Sequence, residues 1–246
     1  MRTVASVRWD AELAAVYDDV YAGQAEPSVV DPIAAVLAEL AGSGAALEFG
    51  VGTGRIALAL SARRVAVTGI ELSPHMAERL RAKPGAKTVP VIVGDMTTTH
   101  AEGSFTLVYL VANAIMNVTT QDEQLATFGN AAAHLRPGGR FVVNVIVPQP
   151  CAVPAGGQGR VFTLDPDHVG VETFDDPLGQ IAWSHHWMEV GGRLVRHSAP
   201  YRYVWPSELD LMARLAGFEL EHRWADWDRS PFTAKSARHV SVYQRI

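Results

Sequence analysis

Cysteine is nearly absent from this sequence, since Cys151 is the single one among 246 residues. One cysteine cannot form an internal disulfide, and no group of His and Cys residues with metal-ligand spacing surrounds it. We therefore expect a free thiol, compatible with a reducing cytoplasm, rather than a disulfide framework. No neighbouring side chain in the sequence would activate it as a nucleophile.

Blocks of basic residues and long apolar runs are missing as well. The formal net charge is −5, with both signs mixed along the chain, which disfavours nucleic acid as a partner. No apolar run approaches the roughly 20 residues that span a bilayer, and the N-terminus lacks the pattern of a signal peptide. The sequence thus predicts a soluble cytoplasmic protein with no membrane partner.

What the sequence does contain is an alternation of helical and strand-like segments. Apolar residues spaced by three and four predict helices over 8–22, 31–41, 73–81, 120–135 and 207–216. Asp31 is expected to cap the second helix, with Pro32 in its first turn. Short apolar runs predict strands over 45–49, 65–71, 89–93, 105–111, 140–147, 218–225 and 238–245. Such alternation is typical of a parallel sheet with helices on both faces.

The pattern changes after the fifth strand. Residues 148–160 are rich in proline and glycine and predict a linker or hinge. Strand-like runs at 181–190 and 193–204 are joined by Gly191-Gly192, which is a hairpin signal. We therefore expect a small antiparallel β insertion within the larger sheet domain.

These patterns divide the chain into three parts. Residues 1–29 are expected to form an N-terminal helical lid. The main α/β domain would comprise 30–150 and 205–246. Residues 151–204 would form the insertion, as a cap on the acceptor side.

The stretch 45–55, Ala-Ala-Leu-Glu-Phe-Gly-Val-Gly-Thr-Gly-Arg, organises the main domain. An apolar run leads into three glycines in five residues, at Gly50, Gly52 and Gly54, and an apolar segment follows. Strand, glycine turn and helix in this order open a nucleotide-binding sheet. Glycine suits the turn because a ligand must approach the backbone where a Cβ would clash.

Three nucleotide-like ligands compete for this loop. A phosphate-binding P-loop requires a Gly-Lys-Ser/Thr ending, and no lysine occurs between Gly50 and Leu60. A dinucleotide fingerprint fails from Gly50 but is formally satisfied from Gly52, where Gly-Thr-Gly-Arg-Ile-Ala ends on Ala57. Glu48 disfavours a pyrophosphate, since a carboxylate before the loop favours a cationic group. An NAD(P)-dependent oxidoreductase therefore remains the alternative.

S-adenosylmethionine is the third ligand, and its chemistry matches the strand ends. Glu48 suits its ammonium group, directly or through water. Glu71 ends the second strand and offers two acceptor oxygens to the ribose hydroxyls. Asp95 follows the third strand and is suited to the adenine amino group, while Leu72 and Met96 could sandwich the ring. The carboxyl ends of consecutive strands are where open α/β sheets bind ligands.

The chain resembles the class I S-adenosylmethionine-dependent methyltransferases. Four segments match that family in its order and spacing: Leu47 to Arg55, Gly69 to Met76, Gly94 to Met96, and Leu135 to Gly139. A lone glycine loop is a weak signal, whereas four segments in register are a strong one. The resemblance implies a Rossmann-like, doubly wound seven-stranded sheet whose last strand is antiparallel. It covers residues 30–147 well and the final helix and strands less well.

The segment Tyr17-Asp18-Asp19-Val20-Tyr21 is similar to the Tyr-Asp-x-x-Tyr segment of small-molecule methyltransferases, including those that act on sugar amines. The resemblance implies a helix that folds over the cofactor; two tyrosines on a buried helical stripe are the structural alternative. Together with the strand ends, it assigns cofactor binding to Tyr17, Tyr21, Glu48, Gly50, Gly52, Gly54, Arg55, Glu71, Leu72, Met76, Asp95, Met96 and Val111.

Residues on the acceptor side are harder to identify. Asn113 and Asn117 follow the fourth strand and are candidates for substrate binding, or simply cap a loop. His185 is a candidate general base, because Trp183 and Trp187 share its face of a predicted strand and could form an aromatic wall. Further candidates on the next strand are His197, Tyr201 and Tyr203. No residue set has metal-site spacing, so we expect no metal.

The sequence therefore predicts a methyltransferase that uses S-adenosylmethionine and releases S-adenosylhomocysteine. The methyl group would pass to a nitrogen or oxygen of a small-molecule acceptor by in-line displacement. A non-catalytic module that binds S-adenosylmethionine is a second alternative. Either a monomer or a homodimer is compatible with the sequence, since an exposed edge of the insertion could pair across a two-fold axis.

Overall fold

The structure is a computed structural model that describes residues 10–149 and 159–246. Its helices are α1 Ala11–Val20, α2 Pro27–Ala41, α3 Arg55–Ala62, α4 Pro74–Arg81, α5 Gln121–His134 and α6 Pro206–Leu215. Its strands are β1 Ala46–Phe49, β2 Val67–Glu71, β3 Val91–Val93, β4 Phe105–Leu110, β5 Leu135–Ile146, β6 Gly159–Asp165, β7 His168–Asp176, β8 Ile181–Val190, β9 Arg193–Arg202, β10 Phe218–Trp224 and β11 Arg238–Arg245. No helix within the described ranges is both long enough and apolar enough to cross a bilayer.

Seven strands form the main sheet, in the order β10-β11-β5-β4-β1-β2-β3. Strands β1 to β5 pair in parallel, and β11 runs antiparallel to both β5 and β10. The predicted seven-stranded sheet with an antiparallel last strand is confirmed. Its strand order reverses between β1 and β4, which is where such sheets bind ligands.

The centre of this sheet is buried on both faces. Every residue of β1 and of β4 is buried, as expected for parallel strands covered by helices on both sides. One apolar cluster contains Phe128 of α5, Phe141 of β5 and Leu209 of α6. A second contains Leu37 of α2 and Ile56 of α3. The two clusters fix the sheet between helical layers and leave its carboxyl edge accessible.

The insertion after β5 is a separate antiparallel sheet in the order β6-β7-β8-β9. The hairpin predicted at Gly191-Gly192 joins β8 to β9, and both glycines have positive φ, of 58° and 75°. Strands β6 and β7 were not predicted, and β6 starts inside the segment expected to be a linker. Their exposed apolar residues, such as Leu164, make the alternation weak. Residues 150–158 of that linker, which include Cys151, lie outside the described residues, as do residues 1–9 of the predicted lid.

The predicted start of the second helix is wrong. Helix α2 begins at Pro27 rather than at Asp31, so Pro32 lies inside the helix. Pro27 occupies the first turn, where no backbone N–H is needed. A 3-10 helix, Ala22–Ala25, leads directly into α2.

The fifth strand begins earlier than the predicted 140–147, and Pro137, Gly138 and Gly139 lie within β5. Phe105 pairs with Leu135 and Leu107 with Arg140, so residues 136–139 form a large bulge opposite one residue of β4. Such a bulge keeps the strand continuous on either side of the Pro-Gly-Gly segment.

Candidate functional site

The carboxyl ends of β1, β2, β3 and β4 meet at one edge of the main sheet, on either side of the point where strand order reverses. The loop from β1 to α3 lies at this edge. Its residues Gly50, Gly52 and Gly54 have φ of 67°, 56° and 84°. These left-handed backbone angles explain why the loop uses glycine at all three positions.

Gly54 is required for space as well as for its backbone angle. A Cβ at this position would lie 2.6 Å from Cγ of Leu80 in α4. Gly69 of β2 similarly makes room for Val51, whose Cγ1 would lie 2.6 Å from a Cβ there. These two close approaches hold the glycine loop against both β2 and α4.

Glu71 ends β2 and binds the glycine loop with its carboxylate. Oε2 accepts a hydrogen bond from the backbone N–H of Gly52 at 2.7 Å, and Oε1 accepts one from Ser73 at 2.9 Å. Burial raises the pKa of Glu71, although these N–H donors oppose the rise. Each oxygen retains a further lone pair, so the carboxylate is also able to accept from ligand hydroxyls.

Glu48 precedes the loop in β1 and is 3% exposed. Its Oε2 accepts a hydrogen bond from the Tyr109 hydroxyl at 2.9 Å. Burial raises the pKa of Glu48 to about 8, against the opposing effects of the Tyr109 hydroxyl and the Arg55 charge. The surrounding protein therefore favours the protonated carboxyl at neutral pH, whereas a cation beside it would lower the pKa again.

These groups line a cavity of about 220 Å³. Of the predicted cofactor residues it contains Tyr17, Glu48, Gly50, Gly52, Arg55, Glu71, Leu72, Met76, Asp95, Met96 and Val111. The lining also includes Val51, Thr53, Ile56, Ile70, Gly94, Thr97, Ala112, Ala114, Asn117, Val118, Thr119 and Glu123. Leu72 is 52% exposed at this cavity, which makes part of its wall both apolar and open.

Helix α1 is bound to the glycine loop by polar contacts. Asp18 accepts hydrogen bonds from the Thr53 hydroxyl at 2.6 Å and from Lys83 Nζ at 2.9 Å. Burial alone would raise the pKa of Asp18, but these donors lower it. Arg55 donates to the backbone carbonyl and to the side chain of Gln24, at 3.0 Å and 2.9 Å. The segment from α1 to the following 3-10 helix thus forms one wall of the site.

Tyr17 and Tyr21 lie one helical turn apart, with ring centroids separated by 4.7 Å. Tyr17 lines the cavity described above, and both tyrosines line a neighbouring one beside Asp18 and Lys83. Burial raises the pKa of Tyr17 and raises that of Tyr21 to about 12, so both phenols are neutral. Tyr17 therefore lies between the two cavities, and Tyr21 contacts it on the side of the second one.

Comparisons with known proteins agree with this geometry. The family model described as "Methyltransferase domain" matches residues 46–139. The structure of the CcbJ methyltransferase from Streptomyces caelestis is 35% identical, with a TM-score of 0.83, covering 95% of this chain and 96% of that chain. The chain belongs to the methyltransferase family.

Two more distant relatives are consistent with that assignment. The cypemycin N-terminal methyltransferase of a Streptomyces species is 27% identical over 202 residues, which is 81% of this chain and 82% of that protein. CalS10, an amino pentose methyltransferase from Micromonospora echinaspora solved with S-adenosylmethionine bound, shares the fold. It is 21% identical, with a TM-score of 0.69, covering 94% of this chain and 97% of that chain.

The enzyme is a methyltransferase that uses S-adenosylmethionine, and its cavity fits that cofactor. The open apolar wall at Leu72 suits the adenine ring, and the carboxylate of Glu71 suits the ribose hydroxyls. Glu48 and Arg55 line the same space. A carboxyl group suits the ammonium of the methionine end, and a guanidinium suits its carboxylate. Membership of the methyltransferase family therefore decides against the two alternatives, an oxidoreductase and a non-catalytic module.

The other predicted site residues of the methyltransferase have different positions. Gly54 lies behind the cavity wall, in contact distance of Leu80. Asn113 has a positive φ of 64°, and its Oδ1 accepts a hydrogen bond from the backbone N–H of Ile146 at 2.9 Å. Asn113 therefore fixes the loop after β4 to β5, whereas Asn117 lines the cavity.

His185 is not brought to the cavity. Its ring stacks between Trp183 and Trp187, with centroids at 6.2 Å and 6.3 Å, and it is hydrogen-bonded to the Ser198 hydroxyl at 2.9 Å. Ala182 belongs to the alternate set of β8 side chains and packs into the core of the main sheet. Because side chains alternate along a strand, His185 points away from the main domain. Trp183 and Trp187 do flank His185, but this aromatic wall lies on the outer face of the insertion.

Several residues at the site were not identified from the sequence. Asp18 lies 35 positions from Thr53 and 65 positions from Lys83 in the sequence, and no local pattern links them. Glu123 accepts a hydrogen bond from the Thr120 hydroxyl at the start of α5, and it also lines the cavity. Among residues 10–149 and 159–246 no group of three or more His, Cys, Asp or Glu side chains is placed to bind a metal.

Proposed function

We propose that this methyltransferase methylates an amine nitrogen of a small-molecule acceptor, rather than an oxygen. The names of its relatives support a nitrogen: one is an N-terminal methyltransferase, one acts on an amino pentose, and KedS8 is a sugar N-methyltransferase. The first of these is 27% identical to this chain, whereas the others are similar chiefly in fold.

The observation that carries the proposal is that two elements lining the cofactor cavity also contact the insertion. Helix α1 packs against β8, and the 3-10 turn Ala114–Asn117 packs against β9. Tyr17 of α1 and Asn117 of that turn both line the cofactor cavity. An acceptor approaching the methyl donor would therefore be surrounded by α1, this turn and the insertion, which suits a small molecule better than a polymer.

The cofactor would be held by residues at both ends of the cavity. We propose that Glu71 accepts from the ribose hydroxyls and that Leu72, Met76, Met96 and Val111 contact the adenine ring. Asp95 would accept from the adenine amino group. Its Oδ1 already accepts from Thr97 at 2.8 Å, and its second oxygen faces a ligand more readily because the residue is exposed.

The methionine end would lie near the glycine loop. There Glu48 would bind the ammonium and Arg55 the carboxylate, and Tyr17 lines the same cavity. The two charges of the amino-acid group would then each meet an opposite charge, and Glu48 would lose its proton.

S-adenosylmethionine supplies a methyl group already activated by its sulfonium. The protein needs to align the acceptor nitrogen opposite the sulfur and to exclude water, and such positioning contributes several kcal/mol to catalysis. Helix α1 serves as the lid, since Asp18 binds it to Thr53 and Lys83 across the glycine loop. Asn117 is placed to orient the acceptor.

The same proposal assigns a role to each part of the chain that the structure describes. Residues 10–29 would act as the lid, 30–149 and 205–246 as the cofactor domain, and 159–204 as the acceptor-side cap. The net charge of −5 supports a small-molecule acceptor over nucleic acid. We further propose a cytoplasmic enzyme, either monomeric or homodimeric.

Calorimetric titration with S-adenosylhomocysteine tests the cofactor assignments. Replacing Glu71 by alanine removes charge-assisted acceptors worth about 1.5–3 kcal/mol, so binding should weaken roughly 10- to 150-fold. Glu219→Ala, which removes an exposed glutamate on β10, is the matched control and should bind like the wild type. Equal affinity of the Glu71 variant and the wild type would contradict the assigned role.

Mass spectrometry with methyl-deuterated S-adenosylmethionine tests the acceptor class. D-glucosamine and D-glucose are a suitable pair, because they differ by an amine in place of one hydroxyl. We expect the label on glucosamine and none on glucose. Labelled glucose, or no transfer to any of a panel of primary amines by protein that binds S-adenosylhomocysteine, would rule out amine methylation.

A further inference from the structure

Arg55 lies in the wall between two cavities. The first is the cofactor cavity, and the second, of about 280 Å³, lies beside it. Tyr17, Thr53 and Arg55 line both of them. The second cavity also contains the carboxylates of Asp18 and Asp31. Acidic groups are thus present on the side of Arg55 away from the cofactor, and they attract its guanidinium.

Gln24 holds the side chain of Arg55 with two oxygen atoms. Nη1 of Arg55 donates to the backbone carbonyl of Gln24 at 3.0 Å and to its side-chain Oε1 at 2.9 Å. A long arginine side chain otherwise samples many rotamers, and ordering it is entropically unfavourable. Because the guanidinium is planar, two acceptors on one residue fix the direction in which its remaining donors point.

The contact with Gln24 leaves Arg55 able to bind an anion. Both acceptors are neutral oxygens on Nη1, so the contact uses neither the positive charge nor the N–H groups of Nε and Nη2. The charge acts on the cofactor side as well. Burial raises the pKa of Glu48 and of Tyr17, and the positive charge of Arg55 opposes the rise in both. Both residues line the cofactor cavity.

The segment that carries Gln24 is itself bound to the glycine loop. Gln24 belongs to the 3-10 helix Ala22–Ala25, which connects α1 to α2. Asp18 of α1 accepts a hydrogen bond from the Thr53 hydroxyl at 2.6 Å. One continuous segment therefore binds both Thr53 and Arg55, the residues on either side of the last loop glycine. This second anchor holds Gln24 in place over the start of α3.

We propose that Gln24 is a positioning residue for the methionine carboxylate of S-adenosylmethionine and that it acts through Arg55. The inference rests on the proposed function, which assigns that carboxylate to Arg55. Gln24 holds the guanidinium away from Asp18 and Asp31, so that Nε and Nη2 are ready to donate two parallel hydrogen bonds to a carboxylate.

Calorimetric titration of the full chain with two ligands tests this role. S-adenosylhomocysteine carries the amino-acid carboxylate, whereas 5′-methylthioadenosine has the same adenosine and sulfur without it. Gln24→Ala removes Oε1 and keeps the backbone acceptor. For this variant we expect S-adenosylhomocysteine to bind about three- to tenfold more weakly and 5′-methylthioadenosine to bind as it does to the wild type.

A matched control and a double-mutant cycle complete the experiment. Gln244 is an exposed glutamine of β11 that lies opposite Arg140, away from the carboxyl edge of the sheet, so Gln244→Ala should bind both ligands like the wild type. In an Arg55→Ala background, adding Gln24→Ala should cause no further loss of affinity for S-adenosylhomocysteine. The cycle uses S-adenosylhomocysteine alone, so it gives an answer whatever the affinity for 5′-methylthioadenosine.

Three results would overturn the role of Gln24: equal weakening for both ligands, unchanged affinity for S-adenosylhomocysteine, or the same loss with and without Arg55. Failure of the proposed function gives a different result. An Arg55→Ala variant that binds S-adenosylhomocysteine like the wild type would contradict carboxylate binding by Arg55 itself. A weakened Arg55→Ala beside an unchanged Gln24→Ala would exclude Gln24 and leave the assignment of Arg55 standing.

Discussion

Replacing Glu48 by glutamine tests whether burial keeps the carboxyl group of Glu48 protonated in the folded protein. Glutamine preserves the shape of the side chain and still accepts the hydrogen bond that the Tyr109 hydroxyl donates to Oε2. What it removes is the ability to ionise. The wild-type carboxyl is buried, with a pKa raised from 4.5 to about 8 by desolvation, so its ionisation should destabilise the folded state.

The sign and size of this effect follow from proton linkage. Between pH 4.5 and about 8 the folded protein holds a proton on Glu48 that the unfolded chain has lost. The stabilisation is therefore complete below about pH 4.5, falls as the pH rises, and is lost once the pH has passed about 8. Each tenfold change in proton affinity is worth about 1.4 kcal/mol, so the whole shift corresponds to at most about 5 kcal/mol.

Urea unfolding followed by tryptophan fluorescence, from pH 5 to pH 8.5, measures this quantity. As the pH rises across this range, the free energy of unfolding of the wild type should fall by a few kcal/mol relative to that of Glu48→Gln. The exposed Glu219→Gln controls for the loss of an acidic side chain far from the cavity. A difference between Glu48→Gln and the wild type that stays constant over the range would refute the reasoning.

Two further substitutions probe the loop and its lid. Gly54→Ala combines a left-handed backbone with φ of 84° and a Cβ 2.6 Å from Leu80, whereas Gly85→Ala has a left-handed φ of 80° and its nearest neighbour at 3.9 Å. Thermal unfolding should therefore show a loss of roughly 1 kcal/mol at Gly85 and 1–3 kcal/mol more at Gly54, and equal losses would mean that Leu80 moves aside. Asp18→Asn removes the ion pair with Lys83, so hydrogen exchange in α1 should accelerate about three- to tenfold. In the wild type the protection of α1, taken relative to the intrinsic exchange rate at each pH, should fall by the same factor as the pH drops through the lowered pKa of Asp18, and unchanged protection would show that this contact does not hold the lid.

Local patterns predicted much of the cofactor cavity. The glycines at 50 and 52, Glu48 before them and Glu71 at the next strand end all follow from strand, turn and helix signals, and all line the same cavity. Their positions relative to one another depend only on parallel strands lying side by side, a relation that βαβ periodicity specifies. The weaker alternation of β6 and β7 did not reveal those strands, because the insertion packs one face against the protein and exposes apolar residues such as Leu164 on its edge.

Long-range contacts account for the rest of the site. Asp18 meets Thr53 and Lys83 only after α1 has packed against α4, and neither partner is near it in sequence. Pro32 lies within α2 because packing of the helix against the main sheet outweighs a local preference for a start near Asp31.

His185 and His186 show most clearly which features follow from the sequence and which depend on the tertiary structure. The sequence by itself determined that they occupy opposite faces of one strand, because side chains in a β-strand alternate with period two. It also determined the methyl donor, through carboxylates and glycines at successive strand ends. Which histidine faces inward was decided only by the tertiary structure, since that depends on which side of the insertion α1 and the core around Ala182 cover. No pattern of neighbours along the chain contains that information.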